Sequence, residues 1–368
     1  MGFSELKKVV EIVSRESLCI KVPKTQGEKM LGIVNKMGIS DRELGIHNDA
    51  NSIYIPLVRR PNKEEIAALS LQLKSISFEI RTFLEKKRPS KTLKDVLDNK
   101  LEPRLLASLP RALEIIGDIA IIEIPPELRQ KERRVGKAIL ESHRKIRTVL
   151  AKAGAVSGTY RLREFTLIAG EQKTSARHKE YGCAYMIDIA KAYFSPRLSQ
   201  EHKRVASLIQ KGETIVDLFA GVGPFSVLIA KTNLDVKVYA VDINPEAINL
   251  LKTNVRLNRV ENRVFPILGD AAKIVEQKLS GIADRVIMNL PERAIEFVEA
   301  ACMAIKPTGG IVHFYGFVRR PETLEDMERQ FVGEVEKAGR KVNRFLSVKT
   351  IRETGPYEWQ VALDAKIL

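Results

Sequence analysis

Beyond residue 200 the apolar positions fall into short runs separated by stretches of helical spacing. TIVDLFA (214–220), VKVYAVDIN (236–244), VFPILGD (264–270), RVIMNLP (285–291) and GGIVHFYGF (309–317) read as strands. GVGPFSVLIAK, PEAINLLKTNVRLN and a stretch around 294–305 lie between them with helical periodicity. Strands alternating with helices of about 10–15 residues predict parallel βαβ units and an open, doubly wound α/β sheet. The first 200 residues follow another grammar. LCIKV (18–22) and SIYIPLV (52–58) flank a helical segment near Gly27–Met37, which predicts a small α/β module. RRPNKEE (59–65) is polar, 66–85 is apolar, and EKKRPSKTLKD (85–95) reads as an exposed connector leading into a helix start. From 86 to 180 the pattern is helix, strand, helix, strand. IIGDIAIIE (115–123) predicts a hairpin turning at Gly117–Asp118. Residues 131–152 predict an amphipathic helix with Val135, Ala138, Ile139, Ile146 and Val149 on its buried stripe. The expected domains are therefore 1–65, a linker at 66–85, a connecting domain at 86–180 and the doubly wound domain at 181–368.

Composition narrows the class. At 368 residues, with 44% hydrophobic and 29% charged side chains, the chain has ample material for a core, and global disorder is excluded. The formal net charge is +15. Residues 1–200 hold 37 basic and 24 acidic side chains, a surplus of 13, and residues 201–368 hold 24 and 22, a surplus of 2. A basic front joined to a near-neutral rear points to a polyanion partner for one part and a different task for the other. The densest stretch is 131–152, with eight Lys or Arg, His143 and two acidic residues. That density favours phosphate contact over a merely solvated face. No apolar run is long enough for a membrane span, and the charged start MGFSELKKVVEIVSRE is not a signal peptide, so a cytoplasmic protein is expected. Cys19, Cys183 and Cys302 lie far apart without a CxxC pair, and the five histidines show no metal-ligand spacing, so neither a disulfide scaffold nor a metal site is expected.

The chemistry lies at the strand ends. Asp217-Leu-Phe219-Ala220-Gly221-Val-Gly223-Pro-Phe-Ser226 closes the first strand and opens a helix, where two glycines allow backbone to approach a ligand. Ser226 stands where the dinucleotide fingerprint has its third glycine, which disfavours a pyrophosphate-gripping NAD site. Nineteen residues after Gly223 comes Asp242, placed to accept both hydroxyls of a ribose; that geometry serves NAD and S-adenosylmethionine equally. Gly269-Asp270 supplies a carboxylate suited to an adenine amino group. Met288-Asn289-Leu290-Pro291 ends the fourth strand at the ligand-binding edge, or taken alone is a simple turn. The four strand ends together resemble the layout of S-adenosylmethionine-dependent methyltransferases that modify a ring or amide nitrogen.

A central block makes the resemblance specific: Tyr160-Arg161-Leu-Arg163-Glu164, Ala169-Gly170-Glu171, His178-Lys-Glu180, Asp188-Ile-Ala-Lys191-Ala-Tyr193-Phe-Ser-Pro196-Arg197, and Glu201. With DLFAGVGPFS, VDINPEAI and MNLP, the chain resembles the archaeal and eukaryotic tRNA (guanine-37-N1)-methyltransferases. The likeness is continuous over about 155–320 and looser elsewhere. It implies a small N-terminal domain touching the outer corner of tRNA, a connecting RNA-binding domain, and a Rossmann-type methyltransferase domain. N1 of neutral guanine carries a proton, so methylation needs a base at N1 and a cation for charge on O6. The resemblance puts the base at Glu201 and the cation at Arg161. It places Asn289 on the base, and Tyr193 and Pro291 around a flipped guanine. It implies S-adenosylmethionine held by Asp217, Phe219, Ala220, Gly221, Gly223, Asp242, Ile243, Asn244, Gly269, Asp270, Ala271 and Asn289, with no metal. The expected partner is tRNA, at its anticodon loop and outer corner, and the expected state is a monomer. Bland readings stand beside these: Glu201 as a helix-start acid, Arg161 as a phosphate anchor, Arg163–Glu164 as an ion pair, Tyr193 as core. The chain departs from the family's pattern in about fifteen residues before LCIKV and in Gly182-Cys183-Ala184-Tyr185. Retention of NLP favours guanosine over a wyosine precursor. Alternatives are a wyosine-precursor or other-base methyltransferase, and a non-catalytic RNA-binding protein.

Overall fold

The computed structural model describes residues 14–72, 76–85, 92–98, 101–110, 112–154 and 158–368. The N-terminal extension before residue 14 and most of the connector at 86–91 lie outside the described residues. Two compact units emerge, Met1–Ser90 and Lys91–Leu368.

In the first unit, β1 (Ser14–Pro23), α1 (Gly27–Lys36), β2 (His47–Asn48), β3 (Ser52–Pro56), α2 (Lys63–Gln72) and β4 (Ser77–Leu84) follow in order. The strands form an antiparallel sheet, β2-β3-β1-β4. Ile20 and Val22 point to one face and pack with Met30 and Val34, one turn apart on α1, while Cys19 points to the other with Tyr54 and Phe83. The stretch 66–85 is not a linker. It carries most of α2 and all of β4, which pairs with β1 from Ser14↔Leu84 to Lys21↔Ser77. Without β4, the outer edge of β1 would present unpaired backbone groups.

The second unit opens with α3 (Leu93–Leu97) and α4 (Pro103–Ala107). A four-stranded sheet follows, from β5 (Glu114–Ile116), β6 (Ile119–Ile122), β7 (Thr148–Lys152) and β8 (Phe165–Gly170), ordered β5-β6-β7-β8. β5 and β6 form the expected hairpin, with Gly117 at φ +58° in its turn. α5 (Glu132–Ser142) lies before β7 and corrects the expectation of one helix over 131–152. The helix stops at Ser142, and Thr148-Val-Leu-Ala-Lys152 is a central strand between β6 and β8. All five stripe residues are buried as expected. Ile146 and Val149, however, reach the core from a turn and a strand, which apolar spacing alone does not distinguish from a continued helix. β9 (Ser175–Glu180) and β10 (Cys183–Asp188) form an antiparallel pair that straddles the boundary expected between residues 180 and 181.

After α6 (Ser199–Leu208) the doubly wound part runs β11 (Thr214–Asp217), α7 (Pro224–Thr232), β12 (Lys237–Asp242), α8 (Pro245–Asn258), β13 (Val264–Leu268), α9 (Ala271–Ile274), β14 (Arg285–Met288), α10 (Val298–Ala304), β15 (Gly310–Arg319), α11 (Leu324–Lys337), β16 (Val342–Gly355) and β17 (Glu358–Ile367). The seven strands lie in the order β13-β12-β11-β14-β15-β17-β16. The first five are parallel; β17 runs antiparallel between β15 and β16. Alternate residues feed a core on each face. Ile215 and Val238 join the cluster under α7 and α8, and Val216 and Val286 join that of α10 and α11. This is the α/β, Rossmann-type sheet expected, extended by a C-terminal hairpin to which the sequence pattern assigned no element.

Candidate active site

β11 has β12 on one side and β14 on the other, so the chain reverses direction across the sheet there and opens a crevice at the carboxyl ends of the strands. A cavity of about 190 Å³ occupies this position. Gly221 and Gly223 in the loop after β11 take φ +54° and +89°. A Cβ on Gly223 would stand 2.2 Å from Leu251 Cδ1, so glycine there lets the start of α7 approach α8. Asp242 is oriented by backbone: Gly221 N–H donates to Oδ2 (2.7 Å) and Asn244 N–H to Oδ1 (2.8 Å). Burial pushes the Asp242 carboxyl above its usual range, against these N–H groups, which favour its charge. Asp270 caps α9, accepting from Lys273 N–H (3.1 Å), and also lines the cavity. The wall includes ten of the twelve expected cofactor residues: Phe219, Ala220, Gly221, Asp242, Ile243, Asn244, Gly269, Asp270, Ala271 and Asn289.

Arg161, Tyr193, Asn289 and Pro291 line the same cavity. The Arg161 guanidinium sits 5.3 Å from the centre of the Tyr193 ring, and its Nη2 pairs with Glu292 Oε1 at 3.3 Å. Arg161 takes φ +55°, an uncommon conformation for a residue with a side chain. Among the described residues six buried side-chain polar atoms lack a hydrogen-bond partner, and three are Arg161 Nη1, Asn289 Oδ1 and Asp217 Oδ1. Arg161 and Asn289 both line the cavity, and an unpaired buried polar atom costs about 1–3 kcal/mol, so these two mark a wall shaped for a ligand rather than for stability.

Three expected residues are not on the wall. Gly223 is set back at the start of α7. Asp217 is fully buried at the end of β11 and accepts the Ser226 hydroxyl at 2.7 Å; burial pushes its carboxyl up to about 7. Ser226, which replaces the third glycine, is thus its partner. Glu201 lies in the first turn of α6, whose Leu198 and His202 neighbours do line the cavity. Its carboxylate is buried and receives Arg204 Nε (2.9 Å), Tyr315 O–H (3.2 Å) and Lys349 Nζ. Arg204 also binds Asp364, whose carboxyl is held well below the usual range: burial opposes this, but hydrogen bonds from His313 and Arg204 prevail. The structure therefore gathers Arg161, Tyr193, Asn289 and Pro291, and keeps Glu201 in a polar network beside them.

Sequence reasoning missed several wall residues. Phe194 and Ser195 stand inside a quoted motif, where their spacing was a usable signal. His202, Phe317, Arg352 and Gln360 carried none, and the last two come from the C-terminal hairpin. His202 Nδ1 lies 3.0 Å from buried Glu180 Oε2, which fixes the ring. No cluster of three or more His, Cys, Asp or Glu side chains that could hold a metal ion occurs among the described residues.

The sequence matches the TRM5/TYW2 methyltransferase domain over residues 176–343, the TYW2 N-terminal domain over 93–174 and the tRNA methyltransferase 5 N-terminal domain over 19–65. It is 38% identical over 358 residues to the tRNA (guanine(37)-N(1))-methyltransferase Trm5b of Pyrococcus abyssi, across 95% of this chain and 99% of that one. The chain belongs to the TRM5/TYW2 methyltransferase family. A second TRM5 relative, Trm5b of Methanocaldococcus jannaschii, is 31% identical, across 95% and 98%. The tRNA 4-demethylwyosine(37)-methyltransferase Taw21 of Saccharolobus solfataricus is 34% identical, across 70% and 94%. Among solved TRM5 structures, that of Pyrococcus abyssi Trm5b superposes with a TM-score of 0.69 at 36% identity, covering 95% and 99%. A complex of aTrm5 with tRNALeu gives 0.68 at 30%, covering 95% and 100%.

Proposed function

We propose that this chain transfers a methyl group from S-adenosylmethionine to N1 of guanosine 37 in tRNA. The observation that carries the reading is the pair of unpartnered buried atoms on one wall, a donor at Arg161 Nη1 and an acceptor at Asn289 Oδ1. Guanine presents the complementary pair, an acceptor at O6 and donors at N1 and its amino group. When bound, S-adenosylmethionine supplies an electrophilic methyl group on a sulfonium centre. The donor set fits it: Asp242 would take the ribose hydroxyls, Asp270 the adenine amino group, and the loop through Gly221 would pass close to the ligand. Arg161 stabilises the negative charge that grows on O6 as the N1 proton leaves. Glu201 receives that proton, exchanging its Lys349 contact for the base, and Tyr193 and Pro291 hold the extruded ring. The tRNA is gripped at its anticodon loop and outer corner, by one chain at a time. A wyosine precursor at the same nucleotide is a second substrate reading, supported by the similarity to Taw21.

Labelled methyl transfer tests the reading. A transcript with guanosine at 37 should accept label and one with adenosine at 37 should not; equal labelling of both would contradict it.

A further inference from the structure

A second cavity, of about 310 Å³, shares Arg161, Tyr193, Phe194, Ser195, Phe317 and Arg352 with the first. Its remaining charged lining differs from that of the cofactor cavity. Lys152, Arg163 and Arg197 join Arg161 and Arg352, and among the described residues the carboxylates on this wall are Glu114 and Glu292. Glu114 serves two of these cations, Lys152 Nζ at 2.8 Å and Arg197 Nη2 at 2.9 Å. Burial would raise the Glu114 carboxyl, but the Lys152 hydrogen bond and the charges of Lys152, Arg197 and Arg163 hold it below its usual range. Arg161 has Glu292. Among the described residues Arg352 hydrogen-bonds neutral groups, Gln360 Oε1 at 2.9 Å and Ser195 Oγ at 3.4 Å, and neither it nor Arg163 forms a direct ion pair. The Arg163 charge does act on Glu114, and both guanidinium groups stand in a half-enclosed space beside the proposed base site. Phe165 and Phe317 add apolar wall there.

We propose that this second cavity binds a backbone phosphodiester next to the methylated guanosine, through Arg163 and Arg352. The proposal rests on the reading above. Extruding a nucleotide rotates its backbone, which brings its flanking phosphates to the mouth of the base site. A guanidinium fork suits a phosphate better than a lone ammonium does. The same chemistry would suit free inorganic phosphate, so the test separates the two sources.

The test uses an anticodon stem-loop RNA, either unmodified or with one uncharged methylphosphonate linkage on either side of nucleotide 37. Affinity is read as Kd by filter binding and, separately, methylation by label. The full-length protein should bind one of the two neutral-linkage RNAs about fivefold more weakly than the unmodified RNA. Arg163→Ala should weaken binding of unmodified RNA about fivefold, lower the salt slope by about one, and lose its sensitivity to that linkage. Arg163→Lys should recover part of the affinity, which separates a lost charge from a damaged fold. Equal sensitivity of Arg163→Ala and the unsubstituted protein to the neutral linkage would overturn the proposal. Displacement of the stem-loop by inorganic phosphate beyond that by chloride at equal ionic strength, with neither neutral linkage weakening binding, would assign the cavity to free phosphate and likewise overturn it. Failure of the unsubstituted protein to label a full-length tRNA transcript with guanosine at 37 would instead overturn the methyl-transfer reading, because Kd is read without turnover.

Discussion

Asp217 holds a carboxyl pushed up to about 7 by complete burial, against the Ser226 hydroxyl and the Phe219 N–H, which favour its charge. An unfolded chain would release this proton near 3.8. Between those values the folded state binds more protons than the unfolded one, so this group's contribution to stability falls as pH rises from about 4 to 7. Asp217→Asn removes the titration. Its stability relative to the unsubstituted protein should therefore improve by a few kcal/mol across that window, as read by thermal denaturation at stepped pH. A second residue-scale prediction concerns the reaction. Arg161→Ala and Glu201→Gln should each cut single-turnover methylation more than about tenfold, leaving S-adenosylmethionine affinity within about twofold. Unchanged turnover in either variant would remove that residue from the mechanism. Motif residues that touch the cavity through backbone or strand-end position were legible in sequence, because a glycine loop and a strand-terminal acid have fixed places in this fold. The environment of Glu201 was not: Lys349 and Tyr315 arrive from β16 and β15, more than a hundred residues later.

At the scale of elements, the outer edge of β10 is closed by a helix rather than by another strand. Asn254 and Asn258, one turn apart on α8, each treat a β10 residue as a strand neighbour would. Asn254 accepts from Met186 N–H (2.6 Å) and donates to Met186 O (3.1 Å) and Val222 O (2.9 Å). Asn258 accepts from Ala184 N–H (2.9 Å) and donates to Ala184 O (2.7 Å). The i,i+4 interval of the helix thus meets the i,i+2 interval of the strand, and through Val222 the same helix steadies the glycine loop. Asn254→Ala or Asn258→Ala would strand buried backbone groups and should cost about 1–3 kcal/mol each by urea unfolding, with faster amide exchange at Met186 or Ala184. Parallel strands were readable because both faces are buried and their apolar runs are continuous. β16 was not, since register shifts at Val342/Arg344, Phe345/Ser347, Thr350/Arg352 and Glu353/Gly355 break its two-residue period.

For the whole molecule, the proposed reading gives the basic residues 1–200 the RNA backbone and the near-neutral residues 201–368 the cofactor. Phosphate contacts release counterions and cofactor contacts at strand ends do not. tRNA affinity should therefore fall steeply between about 50 and 200 mM salt, while S-adenosylmethionine affinity measured in parallel stays nearly constant; matching salt slopes would refute this division. The domain plan was readable only in outline. The apolar 66–85 segment looked like a spacer because its strand finds its partner sixty residues earlier in the chain, on β1, and no local pattern announces that pairing. The central claim, methylation of guanosine at N1 in position 37, is tested most directly by mass-spectrometric mapping of a tRNA incubated with the protein and S-adenosylmethionine. The expected product is 1-methylguanosine at nucleotide 37 and nowhere else. Methylation of a different nucleoside, or an unmodified nucleotide 37 after incubation, would contradict it.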